Sequence, residues 1–218
     1  MPRIEHRPFT ADERKTLEDL AGGRGELGHD LLNGGCLAML VFLPAMLILR
    51  WIHLWSSLTS TTVLVLAVGF AVVVVRRMRK DLRRAAWLYE EDLKAGRMVV
   101  ATYDVRSAVR VEEFEDEGSQ YLLELIDGGV LFLGGQYLYE AEENGSFPST
   151  RIQTERAEKS GTLFELHCTG TPVEVLETLP HFTVADHEAA LVPDDGEILD
   201  VSFAEQCALL RNRSQGSK

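Results

Sequence analysis

The stretch Tyr121-Leu122-Leu123-Glu124-Leu125-Ile126, Asp127-Gly128-Gly129, Val130-Leu131-Phe132-Leu133 reads as two strands joined by a glycine turn. Asp-Gly between short β-prone runs is a strong local hairpin signal, because glycine supplies the positive φ that tight hairpin turns require. Both runs are apolar at nearly every position, so each is expected to be buried on two faces and central in its sheet.

Working outward, the residues before this hairpin alternate with period two. Val99, Ala101, Tyr103 and Val105 are interleaved with more polar neighbours, and Val109 and Val111 resume the pattern after a break at Arg106-Ser107. A second hairpin is expected where Arg151–Arg156 and Thr162–Cys168 flank Lys159-Ser160-Gly161. Val173–Leu176 and Ile198–Phe203 read as further short strands, and Ala204–Arg211 as a short helix. Short strands with turns every eight to twelve residues predict a small all-β barrel or sandwich over 97–203, followed by a tail, 204–218.

A very different segment precedes this region. From Leu31 to Val75 the chain carries one formal charge, Arg50. As one helix it would extend about 67 Å at ~1.5 Å per residue, against a hydrocarbon core of ~30 Å. The polar cluster Ser56–Thr62 divides it, which predicts a two-span transmembrane hairpin within 34–75, with spans at Leu37–Trp55 and Leu58–Val75. The expected fold class is therefore a membrane α-helical hairpin plus a small all-β domain, α+β overall. Arg76, Arg77, Arg79, Lys80, Arg83 and Arg84 follow the second span, whereas the loop between the spans has no Lys or Arg. By the positive-inside rule this places both termini in the cytoplasm and the protein in the inner, cytoplasmic membrane. The same six side chains are the expected contacts for anionic lipid headgroups.

Residues 1–33 form a polar lead. Thr10-Ala11-Asp12-Glu13 is a capping-box sequence, and a short helix should run from there to Gly22-Gly23. Residues 76–96 should form a juxtamembrane helix with an apolar stripe through Met78, Leu82, Ala85, Tyr89 and Leu93, ended by Gly96.

Charge narrows the partners. Residues 97–218 hold nine basic and 23 acidic residues, a net of −14. Such a domain repels nucleic acid. The three cysteines, Cys36, Cys168 and Cys207, have no CxxC spacing, so free thiols are expected. His181, Asp186, His187 and Glu188 cluster in a loop between Pro180 and Pro193 and are the candidate metal ligands, although their spacing fits no established zinc pattern. The run Glu112-Glu113-Phe114-Glu115-Asp116-Glu117 reads as a solvated hairpin end. No phosphate loop, dinucleotide fingerprint, nucleophile elbow or HExxH helix occurs, so no catalytic residue and no cofactor is expected. The function expected from these features is that of a lipid-bilayer anchor carrying a β domain that binds a protein partner or a second copy of itself. The alternative is a membrane-bound enzyme or metal protein using the His181–Glu188 loop.

Overall fold

The alternation over 97–111 is realised as one long strand. The computed structural model describes residues 2–22, 73, 76–77, 80, 83–113, 117–183, 186–187, 189 and 191–216. Its elements are β1 (Arg3–Pro8), α1 (Ala11–Ala21), α2 (83–95), β2 (Arg97–Val111), β3 (Ser119–Leu125), β4 (Val130–Gly135), α3 (Leu138–Glu143), β5 (Ser149–Ala157), β6 (Leu163–Pro172), β7 (Val175–Leu179), β8 (Ile198–Leu199) and α4 (Phe203–Gly216). The eight strands form a sheet in the order β6-β5-β2-β3-β4-β8, with β1 and β7 also pairing with β2. The β2–β7 pair is parallel, whereas β2–β3, β3–β4, β4–β8 and β5–β6 are antiparallel.

The break read at Arg106-Ser107 is a bulge inside β2, not a gap between strands. Val105 faces Leu125 and Ser107 faces Glu124, so Arg106 is the additional residue. One extra residue reverses the parity of the side chains beyond it. Ala101, Tyr103, Val105 and then Ala108 fall in one core, with Leu123, Leu131 and Ile152. Val109 and Val111 fall in the other, with Leu122, Phe132, Leu179, Phe182 and, from α4, Cys207 and Leu210. The hairpin β3–β4 feeds both cores, as its two apolar faces require. Edge-on ring pairs mark each side: Tyr121–Phe147 at 4.9 Å and Phe132–Phe182 at 6.0 Å between centroids.

The chain divides into two compact units. The β unit comprises 1–7, 99–156 and 163–218, and the second comprises 8–98 and 157–162. In the second unit, α1 starts at the expected capping box: Glu13 N–H donates to Thr10 Oγ1, and Thr10 N–H donates to Glu13 Oε2. The helix α2 ends where glycine was expected to end it. Gly96 adopts φ +64° and its N–H donates to the Asp92 carbonyl at 2.8 Å.

The expected membrane hairpin is corrected. Among the described residues no helix is long and apolar enough to cross a membrane. Crossing needs about 20 apolar residues, and none of the described helices offers such a run. The described architecture is a mainly antiparallel eight-stranded sheet with short helices, in place of a two-span hairpin with a barrel or sandwich. The integral-membrane localisation, and the orientation built on it, are withdrawn with that fold class. The segments assigned as spans, 37–55 and 58–75, lie outside the described residues apart from Val73, as do Arg50 and Cys36.

Buried tyrosines make the β unit sensitive to alkali. Burial raises the Tyr103, Tyr121 and Tyr137 hydroxyls above the ordinary tyrosine value of 10.0, and nearby carboxylates, Glu142 for Tyr121 and Asp195 for Tyr137, raise the latter two further. A pKa raised in the folded state favours folding fully below pH 10 and loses that contribution as pH rises above it. Unfolding followed by urea is therefore expected to show constant tyrosine-linked stability up to about pH 10. Above it, stability should fall by up to ~1.4 kcal/mol per pH unit for each of the three. A flat profile through pH 11 would contradict this.

Candidate functional site

The features singled out in the sequence are placed as follows. Arg76, Arg77, Lys80, Arg83 and Arg84 are exposed, and Arg79 lies outside the described residues. Among the described residues, His181, Asp186 and His187 do not form a three-ligand group. His181 Nδ1 lies 3.8 Å from Glu112 and His187 Nε2 lies 3.8 Å from Glu117, so the structure brings the loop against the acidic run. Asp186 is buried and its Oδ2 accepts from both the backbone N–H and the hydroxyl of Thr183, at 2.9 and 2.8 Å. Its carboxylate serves the local turn. Glu188 lies outside the described residues, as do 114–116. Glu113 is likewise committed, accepting from Gly118 N–H and from the Tyr139 hydroxyl. Cys168 and Cys207 are free thiols raised by burial, which disfavours the reactive thiolate.

A part-buried polar network of the β unit is built on Asp195. Its Oδ1 accepts from Gly134 N–H at 3.0 Å and from the Tyr137 hydroxyl at 2.7 Å, and its Oδ2 accepts from Arg156 at 2.7 Å. Gly196, at φ +86°, leaves space that a Cβ would take to within 3.1 Å of the Arg156 guanidinium. Three of the carboxylate's roughly four acceptor directions are taken by protein donors, so this network pins the 194–196 turn to the sheet.

An open cleft of about 460 Å³ lies beside β1 and β2. Its lining includes Arg3, Glu5, Asp104, Asp127, Arg151 and Gln153. Arg151 is paired with Asp104 at 2.9 Å, both exposed, so the cleft is a wet, charge-balanced surface.

The element left unfinished is β6. It is ten residues long and ends the sheet order; among the described residues it pairs with β5 alone. Register shifts occur at both ends of the β5–β6 pair, and between them Glu165 to Thr169 pair regularly with Glu155 to Arg151. Leu166 and Cys168 lean on the core, whereas Glu165, His167 and Thr169 face solvent. Natural edges are blunted by lysine, proline or a mid-strand bulge. Here there is no lysine, the proline is at the last position, and no described strand pairs with the outer side of the regular central run. The sequence reading located this strand but could not show that it was an edge, because strand order depends on pairing across the whole domain. Comparison with family models, curated proteins and solved structures gives no match for this chain.

Proposed function

We propose that the β unit is a protein-binding module whose docking element is the outer edge of β6, and that its partner presents an extended basic segment. The observation that carries this reading is the regular edge from Glu165 to Thr169, whose outer side pairs with no described strand, in a region of net charge −14. An extended segment adding to that edge gains backbone hydrogen bonds, and alternate side chains supply specificity. Apolar residues of the segment would continue the Leu166–Cys168 side, and lysine or arginine would answer Glu165. Acidic surroundings speed encounter with a basic partner and slow it with another acidic one. The same charge disfavours a second copy, because edge-to-edge pairing would bring two strongly acidic units together.

The test is binding of an alternating Lys–Val peptide to the full chain, followed by anisotropy, beside the variants His167→Pro and Cys168→Pro. Successive N–H groups of a strand alternate between its two edges. One variant therefore removes an outward donor and the other removes a donor to β5. The outward variant is expected to keep its unfolding midpoint and to bind about tenfold more weakly, equivalent to ~1.4 kcal/mol. Unchanged affinity in both variants would show that the peptide is held by charge alone and would reject the edge.

A further inference from the structure

The β5–β6 register creates a cluster that shares Glu165 and His167 with the docking edge but reaches inward to Glu155. Glu155 stands opposite Glu165 and Gln153 stands opposite His167. His167 Nε2 lies 2.7 Å from Glu165 Oε2 and 3.8 Å from Glu155 Oε1. One ligand atom from each of these three residues falls within 4.8 Å of the other two. Glu155 is only 7% exposed. Both Arg7 nitrogens that reach it go to Oε2. That leaves Oε1, which accepts from the Gln153 amide at 3.1 Å, turned toward the imidazole.

We propose that Glu155, Glu165 and His167 form a site for a single borderline divalent metal, Zn²⁺ foremost. In a tetrahedral zinc site with bonds of ~2.0–2.1 Å, neighbouring ligand atoms stand roughly 3.3 Å apart. The separations of 2.7 and 3.8 Å lie on either side of that value. The two outer side chains, about half exposed, can make the adjustment. The donor set selects the metal class. One imidazole with two carboxylates suits zinc and its neighbours, whereas Mg²⁺ and Ca²⁺ prefer oxygen throughout. On binding, His167 Nε2 exchanges its contact with Glu165 for the metal, and the neutral ring keeps its proton on Nδ1. Glu165 and Glu155 Oε1 supply the other two bonds, and water completes the coordination. Arg7 stays on Oε2, where it orients the buried carboxylate as outer partners of metal ligands do.

The site is tested by equilibrium dialysis of the full chain against Zn²⁺, with metal content measured in the wild type, His167→Gln, Glu165→Gln and the double variant His181→Gln/His187→Gln. The first two changes are at exposed positions and leave the sheet intact. Loss of an outer partner alone weakens metal sites by about 10–100-fold, so loss of a ligand should weaken this one by at least about tenfold. The expected result is one equivalent of Zn²⁺ in the wild type and in the double variant, and at least tenfold weaker binding in His167→Gln and Glu165→Gln. No Zn²⁺ in the wild type, or equal binding in His167→Gln, would overturn the proposal. So would loss of the equivalent in the double variant, which would move the metal to the 181–188 loop. Peptide docking at the β6 edge is read separately, so either result can fail without the other.

Discussion

Replacing Asp195 with alanine is expected to destabilise the β unit by about 3–5 kcal/mol. The carboxylate receives three donors at once: Gly134 N–H, the Tyr137 hydroxyl and Arg156. The Arg156 side chain is only 15% exposed, so its charge would remain in the interior with its closest counter-charge gone. Breaking such a pair from one side costs far more than the pair contributes, because the remaining ion has already lost its water. Asp195→Asn keeps one acceptor oxygen but also removes the counter-charge and turns an amide donor toward Arg156 or toward the Gly134–Tyr137 pair, so it should recover only part of the loss. The measurement is the urea midpoint of the two variants against the wild type. Equal, small losses of under about 1 kcal/mol, the range of an exposed ion pair, would mean that the network is solvated and that the 194–196 turn is not pinned by it.

Asp92→Ala should be comparably damaging in the second unit, for a different reason. Asp92 is fully buried on α2, and its two oxygens accept the backbone N–H groups of Lys159 and Ser160 at 2.6 and 2.9 Å. Hydrogen bonds to charged groups contribute about 1.5–3 kcal/mol each, and truncation strands two donors in the turn. The expected loss is about 3–5 kcal/mol. Asp92→Asn recovers one acceptor but turns an amide donor toward the other N–H, so it should recover only part. Amide exchange gives the local check: the Lys159 and Ser160 N–H groups should exchange faster in both variants before global unfolding is reached. Unchanged exchange at these two positions would show that the turn holds itself.

These two anchors show what pattern reading misses. The β3–β4 hairpin, the α1 capping box and the Gly96 helix end were legible, because each rests on a local signal. Arg106-Ser107 was legible as an irregularity, but only pairing with Leu125 and Glu124 shows that it is a bulge which sends Ala108 and Val109 to opposite cores. β1 was not legible: Arg3–Pro8 has one strongly apolar residue, Ile4, and is a strand because it pairs with β2. The six residues of α3 are too few to show a period, and buried Leu138 marks the face they press on the core. Ile198–Phe203 was read as one strand, yet only Ile198 and Leu199 pair, with Leu131 and Val130. Ser202 then accepts from Glu205 N–H and opens α4, a signal already present in Ser202-x-x-Glu205. The apolar character of 31–75 was correctly counted, but the membrane fold drawn from it is not carried by any described helix. In the candidate metal site, Glu165 and His167 stand two apart on one strand and so share a face by alternation alone. Glu155 was not joined to them, although the turn at Lys159-Ser160-Gly161 sets the register that brings it opposite Glu165.

The central claim is that the β6 edge is where another chain docks. Hydrogen–deuterium exchange of the full chain, with and without the alternating Lys–Val peptide, tests it most directly. The account predicts slowed exchange concentrated in 163–172, where an added strand would take up outward N–H groups. Slowing spread over the acidic surface, or centred on the 181–187 loop with 163–172 unchanged, would contradict it.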